Sequence, residues 1–426
     1  MRASTRQQTL FVFLTVLLLG GALSAQVDPR WTALEQQLDR IFNSTEYQLP
    51  RFGPARWLAD GTAYSTVERA AGAAGGNDIV RYDAATGTRS ILISASQLIP
   101  VGTQKALIID DYVWSADASK LLIFTNTQKV WRLNTRGDYW VLDIKGGALK
   151  QVGTSQPPAS LMFAKFSPDA TRVAYVRSNN IYVEQLADGK VTQLTTDGSE
   201  TTINGTSDWV YEEEFGVRDG FEWSPDGASI AYWQFDSTGV GLFSLINTTD
   251  TLYPVVKTIP YPKAGTANSA VRIGVISASG GPTTWMKTEG DPRNTYLARI
   301  GWIDARTVSI QQLNRQQNRN DFLTADIATG AVKQVFRDES KSWVDVNEEV
   351  PWIDGGKTFL WLSERDGFQH VYRVPREGGT GQLISKFNAD VTDISGFDEK
   401  GGWMYFRASP DNAGQRYLYR AKLDGS

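Results

Sequence analysis

Three consecutive glutamates stand inside an aromatic frame in the stretch DWVYEEEF, residues 208–215. Ionised carboxylates at Glu212, Glu213 and Glu214 repel one another, and neighbouring aromatic residues are typical of partly buried surroundings. A carboxylate that is taken out of water needs a compensating partner. The stretch is therefore the first candidate for a binding site in this chain.

The residues alone leave three interpretations of the glutamates open. In the first, they form a solvated acidic turn, as most charge runs do. In the second, they bind a divalent cation such as calcium through their oxygens. In the third, two carboxylates flanked by aromatics hold an ammonium group through charge-assisted hydrogen bonds. Two such bonds, at about 1.5–3 kcal/mol each, change affinity by roughly 10²- to 10⁴-fold.

The composition excludes several other kinds of site. The chain has 426 residues, no cysteine, one histidine and a formal net charge of −4. Without cysteine there are no disulfides, thiol nucleophiles or zinc–thiolate centres, and one histidine cannot build a histidine-rich metal site. We therefore expect no cofactor and no metal ion held by cysteine or histidine. The slightly acidic balance gives no reason to expect nucleic acid as a partner.

The N-terminus has the pattern of an export signal. Arg2 and Arg6 precede the apolar run TLFVFLTVLLLGGALSA, which ends in small residues. This order predicts a signal peptide over residues 1–25 with cleavage after Ala25. The alternative is an uncleaved membrane anchor, but the run is short and leads into a polar segment. We expect an exported protein, either periplasmic or secreted.

A short helix is expected in the N-terminal segment, residues 26–50. Its apolar residues fall at helical spacing in WTALEQQLDRIF, and these are Trp31, Leu34, Leu38, Ile41 and Phe42. Such spacing predicts an amphipathic helix.

One sequence unit recurs over residues 51–426. An aromatic residue leads into a small polar turn and then an apolar strand, as in WSPDGASIAYW. Seven copies begin at Trp57, Trp114, Phe166, Trp223, Trp302, Trp352 and Phe397. Repetition at about 50 residues, with about four strands per repeat, is typical of β-propeller blades. The sequence therefore predicts an all-β propeller, with an array of β-sandwiches as the alternative. The aspartates of the SPDG turns are assigned to turn structure.

Two irregularities interrupt this repeat. The interval after Trp223 is longer than the others, and its residues 258–275 are interpreted as a connecting segment and a strand. The stretch DWVYEEEF lies before Trp223, between two repeats. We expect it to form an excursion from the repeated strands, where binding residues tend to lie.

Three motifs in order carry a family resemblance. DWVYEEEF, then WSPDGASIAYWQFD, then PYPKAGTAN resembles the propeller domain of the dipeptidyl peptidase IV family, in the prolyl oligopeptidase group of serine peptidases. VWRLNTRGDYWVLDI and FAKFSPDATRVAYVRSNNIYV are also similar to family segments, so the resemblance spans residues 31–426. It implies a propeller of eight blades that covers the active site of an α/β-hydrolase domain. The implied activity is release of N-terminal Xaa-Pro or Xaa-Ala dipeptides from peptides.

The resemblance also implies residue roles. The last two glutamates of the family motif bind the free N-terminal amine of the substrate peptide, and they match Glu213 and Glu214. An arginine of the family's WR motif contacts a substrate carbonyl, and it matches Arg132, for which a surface ion pair is the alternative. Glu212 is expected to support the turn. Trp209 and Tyr211 are expected to pack the excursion on the propeller, and His370 is expected to be structural.

The catalytic part of such an enzyme is not expected in this chain. No serine stands in a G-x-S-x-G nucleophile elbow, and the C-terminal stretch YLYRAKLDGS resembles the end of a seventh blade. We therefore expect about seven of eight blades, no catalytic residue, no hydrolase domain and no activity of this chain alone. The expected partners are a free-amine peptide, the missing hydrolase domain and a second copy in a homodimer. The alternative is a non-catalytic periplasmic propeller that binds peptides or acts as a scaffold.

Overall fold

The computed structural model describes residues 29–47, 49, 52–71 and 75–426, so the predicted signal peptide lies outside the described residues. The chain divides into two compact units, Met1–Gly53 and Pro54–Ser426. The first contains helix α1, Pro29–Phe42, which confirms the predicted amphipathic helix. Arg40 in its last turn pairs with Glu46 at 2.5 Å. A positive charge at this end of the helix also interacts favourably with the helix dipole. No helix within the described residues is long and apolar enough to cross a membrane.

The second unit is built from thirty strands among the described residues. The first blade holds β1 Ala55–Trp57, β2 Ala63–Arg69, β3 Asn77–Asp83 and β4 Arg89–Ile93, followed by a 3₁₀ helix, Ala95–Leu98. The second holds β5 Asp111–Trp114, β6 Lys120–Lys129, β7 Asn134–Asp143 and β8 Leu149–Gln151. The third holds β9 Leu161–Phe166, β10 Arg172–Arg177, β11 Asn180–Gln185 and β12 Val191–Gln193.

The fourth blade holds β13 Thr202–Asn204, β14 Phe221–Trp223, β15 Ser229–Asp236, β18 Ala270–Ser277 and β19 Thr284–Trp285. Helix α2, Trp209–Phe215, lies between β13 and β14, and strands β16 Leu242–Asn247 and β17 Val255–Pro260 lie between β15 and β18. The fifth blade holds β20 Thr295–Asp304, β21 Thr307–Asn314, β22 Arg319–Asp326 and β23 Val332–Glu339.

The sixth blade holds β24 Trp352–Ile353, β25 Thr358–Ser363, β26 His370–Pro375 and β27 Gln382–Leu383. The seventh holds three strands, β28 Val391–Asp398, β29 Trp403–Ala408 and β30 Tyr417–Lys422. Neighbouring strands within each blade are antiparallel, as in the eight residue pairs between β15 and β18. The predicted all-β propeller is confirmed, with seven blades in the described residues.

The recurring aromatic residue lies in the first strand of every blade. It ends that strand in four blades, and the small polar turn then leads into the second strand. In the fourth blade, Asp226 Oδ1 accepts hydrogen bonds from Ser224 Oγ at 2.6 Å and from the Ala228 N–H at 3.0 Å. These bonds hold the pKa of Asp226 below its usual value. The aspartate closes its own turn, as expected.

The core lies between successive blades. Strand side chains alternate between the two faces of a sheet, so each blade contributes apolar residues to both neighbours. In β10, Val173 and Tyr175 pack with residues of the second blade, whereas Ala174 and Val176 pack with residues of the fourth. The largest cluster joins the fourth and fifth blades. Burial on both faces holds adjacent blades in a fixed relation.

The fourth blade departs from the pattern in two ways. Its first strand is split, because β13 pairs with one half of β15 and β14 pairs with the other half. The long interval after Trp223 contains β16 and β17, which form a separate two-stranded sheet. We call this element, residues 242–261, the blade-4 hairpin. Residues 258–275, which the sequence predicts to be a connecting segment and a strand, contain the end of β17 and most of β18.

Candidate functional site

The excursion that carries the glutamates leaves and re-enters the fourth blade at one point. The Gly220 N–H donates to the Gly205 carbonyl at 3.0 Å, and the Trp233 N–H of β15 donates to the Gly220 carbonyl at 3.0 Å. A Cβ at Gly220 would lie 2.7 Å from the backbone nitrogen of Thr206, which is closer than real Cβ contacts allow. Glycine is therefore required where the two chain segments meet.

Within the excursion, residues 209–215 form helix α2, where the sequence predicted no secondary structure. Asp208 is the N-cap and accepts a hydrogen bond from the Tyr211 N–H at 3.0 Å. Gly216 ends the helix in the left-handed conformation, with φ of 64°. Asp and Gly at these places are favoured cap residues, and they are the signal that could have predicted the helix. Burial raises the pKa of the Asp208 carboxyl, because its ionised form loses contact with water.

Aromatic contacts fix this short helix on the propeller. Tyr211 is buried, and its hydroxyl accepts a hydrogen bond from the Leu297 N–H of the fifth blade at 2.8 Å. Its ring centroid lies 4.7 Å from that of Phe235 in β15. Phe215 is also buried and lies 5.1 Å from the Tyr296 ring. The expectation that Tyr211 packs the excursion on the propeller is confirmed.

The three glutamates have three different surroundings, since successive helical residues point about 100° apart. Glu212 Oε1 lies 3.1 Å from Arg218 Nε, and its side chain is only 10% exposed. This contact supports the excursion, as expected for Glu212. Glu213 Oε2 lies 3.1 Å from Nη2 of Arg132. Glu214 is exposed and lines a cavity.

Arg132 reaches Glu213 from the second blade. It lies in the turn between the ten-residue strands β6 and β7. The side chain of Arg132 is 75% exposed, whereas that of Glu213 is 21% exposed. The structure therefore brings two of the sequence-predicted site residues into contact. Their contact is an ion pair, which was the alternative that the sequence allowed for Arg132. Their role towards a peptide stays a prediction.

The cavity beside Glu214 has a volume of about 870 Å³. Acidic side chains outnumber basic ones in its wall, and the charged residues are Glu214, Arg299, Asp338, Glu339, Asp345, Glu348, Glu349, Glu364, Arg365 and Asp393. Arg299 pairs with Glu348 at 2.5 Å, and Arg365 pairs with Asp338 at 3.3 Å. Asp393 pairs with Arg407 at 2.7 Å. The other carboxylates leave the cavity negative, which favours positively charged groups.

Sequence reasoning did not assign these cavity residues. Trp343, half-exposed in the wall, and Arg299 come from segments far apart in the sequence, and no contiguous motif joins them to Glu214. In the part of the chain that the structure describes, no group of three or more His, Asp or Glu residues is arranged to hold a metal ion.

His370 is not among the residues that line the cavity. It is buried, its Nδ1 lies 2.9 Å from Asp366 Oδ2, and its Nε2 lies 2.7 Å from the Phe387 carbonyl oxygen. Both ring nitrogens therefore have protein partners. This arrangement agrees with the structural role expected from the sequence.

Comparison with known proteins identifies the fold and its family. Residues 115–426 match the family model described as Dipeptidyl peptidase IV (DPP IV) N-terminal region. The chain belongs to the dipeptidyl peptidase IV family. The family resemblance inferred from the three motifs is confirmed, and it concerns the N-terminal region of the family.

Individual family members are similar to most of this chain, and the similarity covers about half of their own length. The crystal structure of Porphyromonas gingivalis dipeptidyl peptidase 4 is similar with a TM-score of 0.79 and 29% identity, over 88% of this chain and 52% of that protein. Dipeptidyl peptidase 4 of Trichophyton rubrum is 28% identical over 81% of this chain and 45% of its own length. A probable dipeptidyl peptidase 4 of Arthroderma benhamiae is 27% identical over 97% of this chain and 54% of its own length. The chain thus spans about half the length of these family members.

Proposed function

We propose that this chain is the substrate-recognition propeller of an exported dipeptidyl peptidase IV-like serine exopeptidase. The whole enzyme releases N-terminal Xaa-Pro or Xaa-Ala dipeptides, and a hydrolase domain supplies the nucleophile. The observation that carries the proposal is the contact of Arg132 with Glu213, next to the cavity that Glu214 lines. Family membership and the similarity to solved dipeptidyl peptidase 4 support it.

The recognition chemistry rests on opposite charges. The N-terminus of a peptide is an ammonium group with three N–H donors, and the carboxylates of Glu213 and Glu214 are acceptors. The guanidinium of Arg132 has several donors in a planar fork, so it can pair with Glu213 and also donate to a peptide carbonyl. An acetylated N-terminus has neither the charge nor the three donors. Recognition of the amine therefore selects the end of a peptide.

Binding the amine also determines the length of the product. If the first residue of the peptide is held at Glu213 and Glu214, the distance from this site to the nucleophile sets how many residues pass it. In the proposed enzyme this distance corresponds to two residues. The propeller thus supplies positioning, and the hydrolase domain supplies the covalent chemistry.

A binding measurement on the chain itself tests this function. The peptide Ala-Pro-Ala-amide, with a free N-terminus, is titrated against its N-acetylated form while peptide NMR signals report binding. This chain supplies only the amine-binding part of the proposed active site. We therefore expect a dissociation constant on the order of 1 mM for the free-amine peptide. We expect the acetylated peptide to bind at least about tenfold more weakly, because it loses charge-assisted hydrogen bonds.

Equal binding of the two peptides would overturn the proposed amine site. Hydrolysis products are measured in the same samples by mass spectrometry. Selective binding without cleavage by this chain is the expected result. Cleavage that depends on this chain would contradict the assignment of the chemistry to a separate hydrolase domain.

A further inference from the structure

The blade-4 hairpin contacts both elements that carry the predicted recognition residues. On one side, Lys257 Nζ of β17 lies 5.1 Å from the ring centroid of Trp131, the neighbour of Arg132. On the other side, the ring of Tyr261 lies 4.0 Å from that of Trp209, the first residue of α2. One hairpin therefore contacts both the β6–β7 turn and helix α2, which carries the three glutamates.

The hairpin is not part of the sheet of any blade. Strands β16 and β17 pair with each other in their own two-stranded sheet. All six residues of β16 are exposed, as are the first four of β17. Its strands consequently add little to the cores between blades. The contacts at Trp131 and Trp209 need an explanation other than blade packing.

The base of the hairpin is rigid at the contact with α2. Tyr261 stands between Pro260 and Pro262, and proline restricts both its own φ and the conformation of the residue before it. The Tyr261 N–H donates to the Gly241 carbonyl at 2.7 Å, which closes the base of the hairpin. The ring of Tyr261 also lies 5.3 Å from that of Phe243 in β16. The flanking prolines, the backbone hydrogen bond and the contact with Phe243 thus all restrict Tyr261 where it meets Trp209.

The β6–β7 turn, in contrast, extends into solvent. Arg132 is 75% exposed and Leu133 is 49% exposed, so the turn has little packing of its own at these residues. Within the turn, the Val130 N–H donates to the Leu133 carbonyl at 3.1 Å. Contacts from other elements, at Trp131 and Arg132, are then needed to give the guanidinium one position.

We propose that Tyr261 and Lys257 are positioning residues that hold α2 and the β6–β7 turn in register, so that Glu213 and Arg132 meet at the amine site. The consequence for peptide binding rests on the proposed function. Tyr261 acts through Trp209 on the helix, and Lys257 acts through Trp131 on the turn. Neither residue needs to contact the peptide.

The first test reads the position of the two elements without any ligand. Hydrogen–deuterium exchange of backbone amides is compared for residues 130–134 and 209–213 in wild type, Tyr261→Ala, Tyr261→Phe, Lys257→Gln and Lys257→Arg. We expect faster exchange in α2 for Tyr261→Ala and in the turn for Lys257→Gln. Phe retains the ring and Arg retains the cation, so both conservative variants restore slow exchange.

A matched control comes from the same hairpin. Tyr253 is 79% exposed, in the turn between β16 and β17. Tyr253→Ala removes the same kind of side chain without touching Trp209 or Trp131, so exchange in both elements stays at the wild-type rate. Unchanged exchange in both Tyr261→Ala and Lys257→Gln would overturn the proposal, whether or not the wild type binds peptides.

The second test measures the consequence for binding. We expect Tyr261→Ala to weaken binding of the free-amine peptide by about three- to tenfold, with the melting temperature close to that of the wild type. Tyr261→Phe restores the affinity. If the wild type prefers the free amine and Tyr261→Ala binds equally well, positioning is wrong while the amine site stands. If exchange responds as expected but the wild type shows no preference for the free amine, the proposed function fails and the positioning contacts stand.

Discussion

Nη2 of Arg132 lies 3.1 Å from Oε2 of Glu213, although the two residues belong to different blades. An ion pair with a side chain 75% exposed contributes about 0–1 kcal/mol to stability, because water screens the charges and two side chains lose freedom. The pair therefore has little value for folding. Glu213 is also the sequence neighbour of Glu214, which lines the cavity, and this supports the proposed role of the pair in binding.

Replacing Arg132 separates these two roles. We expect Arg132→Met to change the free energy of unfolding by less than about 0.5 kcal/mol, as for other surface changes. Affinity for the free-amine peptide should fall about tenfold or more, because a hydrogen bond from a charged donor contributes about 1.5–3 kcal/mol. Urea unfolding and peptide titration measure the two effects. Arg136→Met, in the adjacent strand, is the matched control, since Arg136 bonds to Gln128 and not to Glu213. A stability loss without a change in affinity would make Arg132 a structural residue.

The three glutamates provide an internal comparison. Glu213→Gln and Glu214→Gln each retain shape and lose the charge, and we expect each to weaken free-amine binding about tenfold or more. The affinity for the acetylated peptide should hardly change. Peptide titration of each variant against both peptides measures the selectivity.

Glu212→Gln is the matched control for that series. Glu212 is paired with Arg218, so its replacement should lower stability and leave the preference for a free amine intact. If all three variants lose selectivity equally, general negative charge explains binding. If none loses it, the assignment of Glu213 and Glu214 is wrong.

The helix cap Asp208 predicts a pH dependence of stability. Burial raises its pKa in the folded chain, so its contribution to stability is greatest below the pKa of the unfolded chain and is lost as the pH rises through the raised pKa. Asn cannot ionise and keeps an oxygen that accepts from the Tyr211 N–H. We therefore expect Asp208→Asn to become more stable relative to the wild type between about pH 4 and pH 7.

Urea unfolding at several pH values measures this difference. Asp208→Ala lacks the cap acceptor, and its loss of the capping bond costs about 1 kcal/mol. Its profile separates the capping effect from the ionisation effect. A stability difference between Asp208→Asn and wild type that is constant over this pH range would contradict a raised pKa at Asp208.

At Gly220, where the two ends of the excursion meet, a larger residue is expected to clash with the backbone. In Gly220→Ala the added methyl group would lie 2.7 Å from the Thr206 nitrogen, so the backbone must move. Such overpacking costs about 1–3 kcal/mol, and the displaced excursion should also lose amine selectivity. Gly241→Ala is the control, because its nearest contact is an ordinary 3.9 Å to the Tyr261 oxygen. Urea unfolding of both variants checks the effect, and equal stabilities would show that the chain relaxes freely at Gly220.

Much of the fold follows from local sequence patterns. An aromatic residue, a small polar turn and an apolar strand recur at each blade, and each part has a local cause. At Asp226, for example, the turn is closed by groups within two residues, Ser224 and Ala228. The blades were predictable because such causes are contained in a few neighbouring residues. Helix α2 was missed because it is short, and its contacts with Leu297 and Phe235 come from distant segments.

The candidate site divides in the same way. The sequence by itself determined the residue types, with an acidic triplet in an aromatic frame and an arginine in a family motif, and it placed the triplet outside the repeated strands. Only the tertiary structure decided which glutamate meets Arg132, which one pairs with Arg218 and which one faces the cavity. It also decided the contacts of Lys257 and Tyr261 from the blade-4 hairpin. The physical reason is that these contacts depend on how separate blades pack side by side, and no local spacing in the sequence encodes that arrangement.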